Sequence, residues 1–480
     1  MKEKRVFKII GGDMRGRGFV LMGVFVLFLV LLILGIGAAY ITQMGYFSIR
    51  SEAKYQVAEK RANMGIMMAL QRRDCKSFNE TGIEVNVASD EGYNNCFIWS
   101  KGEYMGAKVI KTTVFPTLGW AGIVYRRLNT FELKGSGAIE ACDNNCIIPA
   151  LITGNELNIP DKLLDVCKSN VQGLASLFSQ PYFNDPQLLE ADLTSKLFNA
   201  HDRIELLTKL SSFFKVNFNS NGAPVGLAGN VNVFRASKDC TASGNKIQCG
   251  TDELEWNGNA WVYGTTSYEG VDLSSYTLTI KEGDFTGGGY ISAKIVEKEN
   301  KAKSININPY TKPLVLIANE SLKIEGNTFN ISNTFMFSKS YIIGSPGDKI
   351  GIYDSLIYNG GDDQSSPIQI NSQATLGNKD KPVLIISDNN ISITANGNAR
   401  IYGAIFITDA NQNFDITGNG NFNLYGTIIS NSLNNDLIGI KGNFEINFDF
   451  MVLENLYGYF SDLLRKPVCP TQKRSLYHLL

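Results

Sequence analysis

The side chains able to do chemistry in this chain of 480 residues are few, and most of them are sulfur. There are eight cysteines (Cys75, Cys96, Cys142, Cys146, Cys167, Cys240, Cys249 and Cys469) against two histidines, His201 and His478. An even number of thiols in an exported protein points to disulfides rather than to catalysis. Cys240 and Cys249 bracket Thr-Ala-Ser-Gly-Asn-Lys-Ile-Gln, a turn, and are the best local pair. Cys75 and Cys96 are a second candidate pair; full connectivity stays open, because eight cysteines allow about 105 pairings. Cys142-Asp-Asn-Asn-Cys146 has the look of half a metal site, yet no second paired-cysteine motif accompanies it, so no metal is expected. Asp362-Asp363 offers two adjacent carboxylates, but acid–base hydrolysis also needs a charge stabiliser placed against them.

What must position these groups begins with a membrane segment. Phe19 to Ile41 is an unbroken apolar run of 23 residues without a charge. As a helix it spans about 34 Å, enough for a bilayer core and too long for a simple cleaved signal sequence. The stretch before it carries Lys2, Lys4, Arg5, Lys8, Arg15 and Arg17 against Glu3 and Asp13. That excess should remain cytoplasmic and put everything after Ile41 on the far side, where all eight cysteines lie. Ser51 to Gln71 lacks proline and continues the helix, with Val57, Met64, Met67 and Met68 on one face and Glu52, Lys54, Glu59, Lys60 and Arg61 over the rest. A single helix of roughly 80 Å from Phe19 to Arg72 is predicted.

Arg17-Gly18-Phe19-Val20-Leu21-Met22 resembles the cleavage site of type IV prepilins, in which a basic leader ends in glycine and an aromatic residue opens the mature helix. The resemblance implies cleavage after Gly18 by a prepilin peptidase and an N-methylated Phe19. It extends over about the first 75 residues and is closest to the PilX-type minor pilins. The family usually has Glu at the fifth mature position, where this chain has Gly23. Lacking the carboxylate that pairs with a neighbour's terminal amine, the chain fits a minor or tip-associated subunit, or one that never polymerises.

A second pattern lies near the C-terminus. Ile393-Thr-Ala-Asn-Gly-Asn-Ala-Arg-Ile-Tyr-Gly403 recurs as Ile416-Thr-Gly-Asn-Gly-Asn-Phe-Asn-Leu-Tyr-Gly426, a shift of 23. Gly420-Asn-Phe-Asn-Leu424 recurs as Gly442-Asn-Phe-Glu-Ile446, and Lys312-Pro-Leu-Val-Leu-Ile317 matches Lys381-Pro-Val-Leu-Ile-Ile386 at a shift of 69. Short strands between Gly-Asn corners at a period in the low twenties predict a β-solenoid. Ile393, Ile401, Ile405, Ile407, Ile416, Leu424, Ile428 and Ile446 should point inward. Gly397, Gly420 and Gly442 should turn the corners, and Asn398, Asn421 and Asn443 should stack as an amide ladder. No carboxylate recurs there, so no calcium-binding repeat is indicated. Gly361-Asp362-Asp363 resembles the paired-Asp step of polygalacturonases, but the downstream Gly-His-Gly and Arg-x-Lys elements are missing.

The expected fold is α+β: a basic leader (1–18), a transmembrane and amphipathic helix (19–72), a strand-rich extracytoplasmic region (73–160), a helical insertion (161–215), a β/loop region (216–311), solenoid repeats (312–450) and a cap (451–480). Within the insertion Asp185 would cap a helix with Pro186 in its first turn; Met451 to Leu464 would close the solenoid's open end, pinned by Cys469. Net charge is −1, and about −5 without the leader, which offers nucleic acid no electrostatic footprint. The expected function is that of a membrane-anchored structural subunit in type IV pilus or related secretion-filament assembly, with no catalytic or cofactor-binding residues. Its partners would be pilus or pseudopilus subunits, the prepilin peptidase, the membrane and an unspecified surface ligand. It would sit as a single-pass inner-membrane protein with the head periplasmic or extracellular. The alternatives are a single-span surface adhesin and a solenoid carbohydrate-active enzyme.

Overall fold

The structure is a computed structural model that describes residues 3–72, 77–90, 95–116, 122–133, 137–140, 142–143, 146–147, 151–155, 183–184, 189, 192–326, 328–344, 347–361, 368–371, 373–394, 398–409, 414–417, 420–433, 435–439 and 444–467. It divides into two compact units.

The first unit is built on one helix, α1 (Glu3–Arg72), uninterrupted because the first proline of the chain is Pro116. The large apolar side chains of its apolar stretch are exposed, from Leu21 (74%) to Ile49 (70%). It is long and apolar enough to cross a membrane, as a membrane anchor or a signal sequence is. The last turns of α1 pack on a four-stranded sheet in sequence order: β1 (Phe78–Glu80), β2 (Ile83–Asp90), β3 (Asn95–Tyr104) and β4 (Ala107–Pro116). Met105 and Gly106, both at positive φ, make the two-residue turn between β3 and β4.

The packed face of α1 is not the methionine face expected from the sequence. Ala58, Ala62, Gly65, Ile66 and Ala69 are buried, whereas Met64 and Met67 are 49% and 43% exposed. Close approach decides this. A Cβ on Gly65 would stand 2.2 Å from Ser100 Oγ, and one on Gly102 in β3 would stand 2.0 Å from the Ala58 carbonyl oxygen. Only small side chains let helix and strand backbones come so near.

The second unit is a parallel β-solenoid with three strand faces. Its interior can be followed down one column: Val271, Ile291, Leu316, Met336, Ile357, Ile385, Ile405 and Ile428 pair in register from coil to coil and all are buried. The predicted repeat is reproduced, since Ile393 pairs with Ile416, Asn398 with Asn421, Gly403 with Gly426, and Leu424 with Ile446. Ile393, Ile401, Ile405, Ile407, Leu424, Ile428 and Ile446 are interior; the side chain of Ile416, like Asn443, Gly397 and Gly442, lies outside the described residues. Asn421 Nδ2 donates to Asn398 Oδ1 at 3.0 Å, the expected ladder, and Tyr402 stacks on Tyr425 at 4.5 Å between centroids. The shift of 69 is three coils, Val315 to Phe335 to Leu356 to Leu384. Parallel ladder pairing is already present where Val233 pairs with Gly270, upstream of the position 312 expected from the repeats.

One face of the solenoid is buried on both sides, which is why its strands read as continuous apolar runs such as Val383–Ser387. Outside it lie the helices Arg203–Phe214 and Phe450–Tyr459, with Phe214 against Phe337 and Phe460 against Phe335. The segment expected to close the open end therefore lies along the flank, because its apolar stripe (Val452, Leu453, Leu456) matches the apolar outer surface of the coils. The end is taken by strands from the front of the chain: β5 (Ile123–Tyr125), β6 (Leu128–Leu133) and β7 (Gly137–Glu140). These pair in parallel with the strands Asn421–Ser430, Asn435–Gly439 and Phe444–Asn447. Leu151–Thr153 adds a further strand on β5. β5, β6, β7 and the strand Leu151–Thr153, which fall in the stretch read as strand-rich, are thus strands of the solenoid end.

In the stretch read as a helical insertion, the described helices are Thr194–Leu197 and Arg203–Phe214. Asp202 caps the second, accepting from the Glu205 N–H at 2.9 Å, while Glu205 Oε2 accepts from the His201 N–H at 2.7 Å. Asp185 and Pro186 lie outside the described residues, as does Cys469.

Candidate functional site

Of the residues singled out for processing, Gly18 and Phe19 fall within α1, whose apolar stretch from Leu21 to Ile49 is exposed among the described residues. A Cβ added at Gly23, Gly35, Gly37 or Gly45 would find no atom within 4 Å. The other end of the helix is held firmly. Arg61 Nη1 donates to the Glu103 carbonyl at 2.6 Å, its guanidinium lies 5.0 Å from the centroid of the Tyr104 ring, and Lys111 meets Glu59 at 2.7 Å. Helix and sheet are therefore joined by small-residue packing in the middle and by charge at the rim. The alanine–glycine spacing at 58, 62, 65 and 69 was the signal for this face, masked by the larger methionines beside it.

The disulfide expected between Cys240 and Cys249 is formed, with Cα atoms 4.3 Å apart. It closes the hairpin of Cys240–Gly244 and Lys246–Cys249, which stacks on the first coil through Cys240 and Leu278. Trp261 completes this cap, its indole N–H donating to the Gly288 carbonyl at 3.0 Å. Cys96 lies in β3, while Cys75, Cys167 and the Asp362-Asp363 pair lie outside the described residues.

The most buried polar chemistry is a cluster that sequence reasoning missed. Asp388, 2% exposed, sits at a coil corner. It accepts from Arg203 Nη2 at 2.7 Å, from the Tyr358 hydroxyl at 2.8 Å and from Thr408 Oγ1. Tyr358 also lies 2.8 Å from the Gly222 carbonyl oxygen, and Arg203 donates to the Asn221 carbonyl. Burial, and then the neighbouring Asp388 charge, hold the Tyr358 phenol well above its usual range. Burial, the largest single influence, would depress the Arg203 guanidinium, but its hydrogen bond to Asp388 and the charge of that carboxylate together raise it. Each group is engaged with another, and none is left as a nucleophile or free base. The cluster clamps the helix Arg203–Phe214 and the Asn219–Ala223 turn onto the coils. Four residues from distant parts of the chain make it, so no local spacing could have announced it.

Among the described residues no three His, Cys, Asp or Glu side chains converge as metal ligands would. Comparison with protein-family models, with curated proteins and with solved structures finds no match for this chain.

Proposed function

We propose that the chain is a pilin-like structural subunit, anchored in a membrane by the first part of α1 and acting as a minor or tip-associated component of a type IV pilus or related secretion filament. The observation that carries this reading is the division of labour along α1. One unbroken helix is apolar and exposed from Leu21 to Ile49, then packs by Ala58, Ala62, Gly65 and Ala69 on a small sheet. An exposed apolar rod of this kind needs either lipid or equivalent helices around it, and a filament core supplies the second when the first is withdrawn. The solenoid would then be the outward-facing cargo.

The experiment is mass spectrometry of the mature N-terminus. A chain beginning at N-methylated Phe19 supports the reading, and Gly18→Leu should leave a precursor about 18 residues longer. An intact Met1 leader beside an active peptidase would overturn it.

A second reading, a single-span surface adhesin that never enters a filament, draws on Gly23, which cannot make the intramembrane charge pair of a polymerising subunit. Co-purification of the chain with sheared filaments separates the two.

A further inference from the structure

The outward side of one solenoid face carries a trough that the filament reading does not use. Along Thr328–Ser332, Lys349–Tyr353, Gln373–Leu376 and Asn398–Ile407, the inward residues Phe329, Ile350, Ala374 and Ile401 are buried, and the residues between them stand outward in register. One outward column runs Asn330, Gly351, Thr375, Arg400. Two short residues between two long ones make a floor, and the depression above it measures about 440 Å³. Lys349, Gln373 and Asn398 wall one side and Tyr353 the other. Glycine at 351 keeps the floor low: a Cβ there would come within 2.7 Å of Asn330 Oδ1 and 2.8 Å of the Tyr353 ring, so both side chains lean over it.

The charge in the trough is unbalanced. No carboxylate lines it, and neither Lys349 nor Arg400 makes an ion pair or hydrogen bond within the described residues. Other lysines on the coils do have acidic neighbours, Lys294 with Glu320 and Lys381 with Asp354. The amides are only partly used. Asn330 Nδ2 bonds Asn306 and Asn398 Oδ1 accepts from Asn421, leaving one further polar atom on each, and among the described residues the Gln373 amide has no partner.

We infer that this trough binds an acidic oligosaccharide. Carboxylates would meet Lys349 and Arg400, hydroxyls would meet Asn330, Gln373, Asn398 and Thr375, and the apolar face of one ring would lie on Tyr353. A neutral sugar gives no use for two unpaired cations. A nucleic acid would need a broad positive field, and the chain as a whole is at −1. The inference stands whether or not the protein enters a filament.

The test is calorimetric titration of the detergent-solubilised full chain with hexagalacturonate, against cellohexaose and a hexathymidylate as controls. Saturable binding of hexagalacturonate is expected, weakened about tenfold or more in the Lys349→Gln/Arg400→Gln double variant at an unchanged melting temperature. If the double variant melts below the parent, Gln373→Ala replaces it and should weaken binding severalfold. Equal binding of cellohexaose would remove the charge argument, and equal binding of hexathymidylate would leave a site for any polyanion. No heat with hexagalacturonate at millimolar concentration, or undiminished binding in the variants, would overturn the proposal.

Discussion

Val124 pairs in parallel register with Ile429, so that a strand from the first third of the chain lies directly on the last coil of the solenoid. A solenoid end is an unpaired edge that invites other chains, and here the protein covers one end with its own earlier residues. Ile123 and Leu151 carry the interior column past Ile428, and Val124 and Ile152 do the same for the outer one.

The first prediction concerns that closure. Ile123 is fully buried, so Ile123→Asp would place an unpaired carboxylate inside the terminal coil, at a cost on the order of several kcal/mol. The variant should lose urea resistance and also associate, because the edge at Asn421–Ser430 is uncovered. Light scattering that shows the parent's mass, with an unchanged urea midpoint, would mean that β5 does not cap the coil.

The corner between two faces gives a second test. Gly426 has φ +146°, and a Cβ there would lie 1.8 Å from the Gly403 carbonyl oxygen. Backbone cannot yield as a side-chain tip can, so Gly426→Ala should destabilise the solenoid by about 3 kcal/mol or more. Gly458→Ala is the control. That glycine lies in the helix Phe450–Tyr459 with no atom within 4 Å of its would-be Cβ, and alanine there should be neutral or stabilising by up to about 1 kcal/mol. Equal urea midpoints for the two variants would contradict the close stacking.

In the first unit, Gly102→Val should separate α1 from its sheet, because the Cβ position is 2.0 Å from the Ala58 carbonyl oxygen and 2.5 Å from the Ala62 nitrogen. A cost of about 1–3 kcal/mol is expected. Limited proteolysis mapped by mass spectrometry should find β1 to β4 cut much faster than in the parent, while the solenoid fragments stay intact.

Alkaline pH should weaken the solenoid. Burial holds the Tyr341 phenol well above its ordinary range, and its hydroxyl donates to the Tyr358 carbonyl at 2.8 Å. The folded state keeps this proton while the unfolded chain releases it. The stabilisation is therefore complete below the ordinary tyrosine range and falls as pH rises beyond it, by about 1.4 kcal/mol per pH unit for each such group. Tyr341→Phe should cost about 1 kcal/mol at neutral pH and make the alkaline limb of the stability curve less steep. A curve of unchanged slope above pH 10 would exclude Tyr341 as a source.

Sequence alone determined the features that are local and repeated. The helix from Phe19 to Arg72 follows from composition without proline, the Cys240–Cys249 bridge from nine residues of separation around a turn, and the register of Ile393 on Ile416 and Asn398 on Asn421 from a repeated string. Each is settled by neighbours in the chain or by identical partners one coil away. Tertiary structure decided the rest. The packed face of α1 went to alanine and glycine, since what wins there is backbone approach and not side-chain hydrophobicity. The helix Phe450–Tyr459 went to the flank because the outer surface of one sheet was apolar and large, and β5 to β7 took the end it was expected to close. Arg203 found Asp388, and Lys349 came to face a trough shared with Arg400, only because coils bring distant residues within a few ångströms. Pairings of that kind leave no periodic trace, for the physical reason that their free energy depends on burial and charge in the assembled coil and on nothing in the residues beside them.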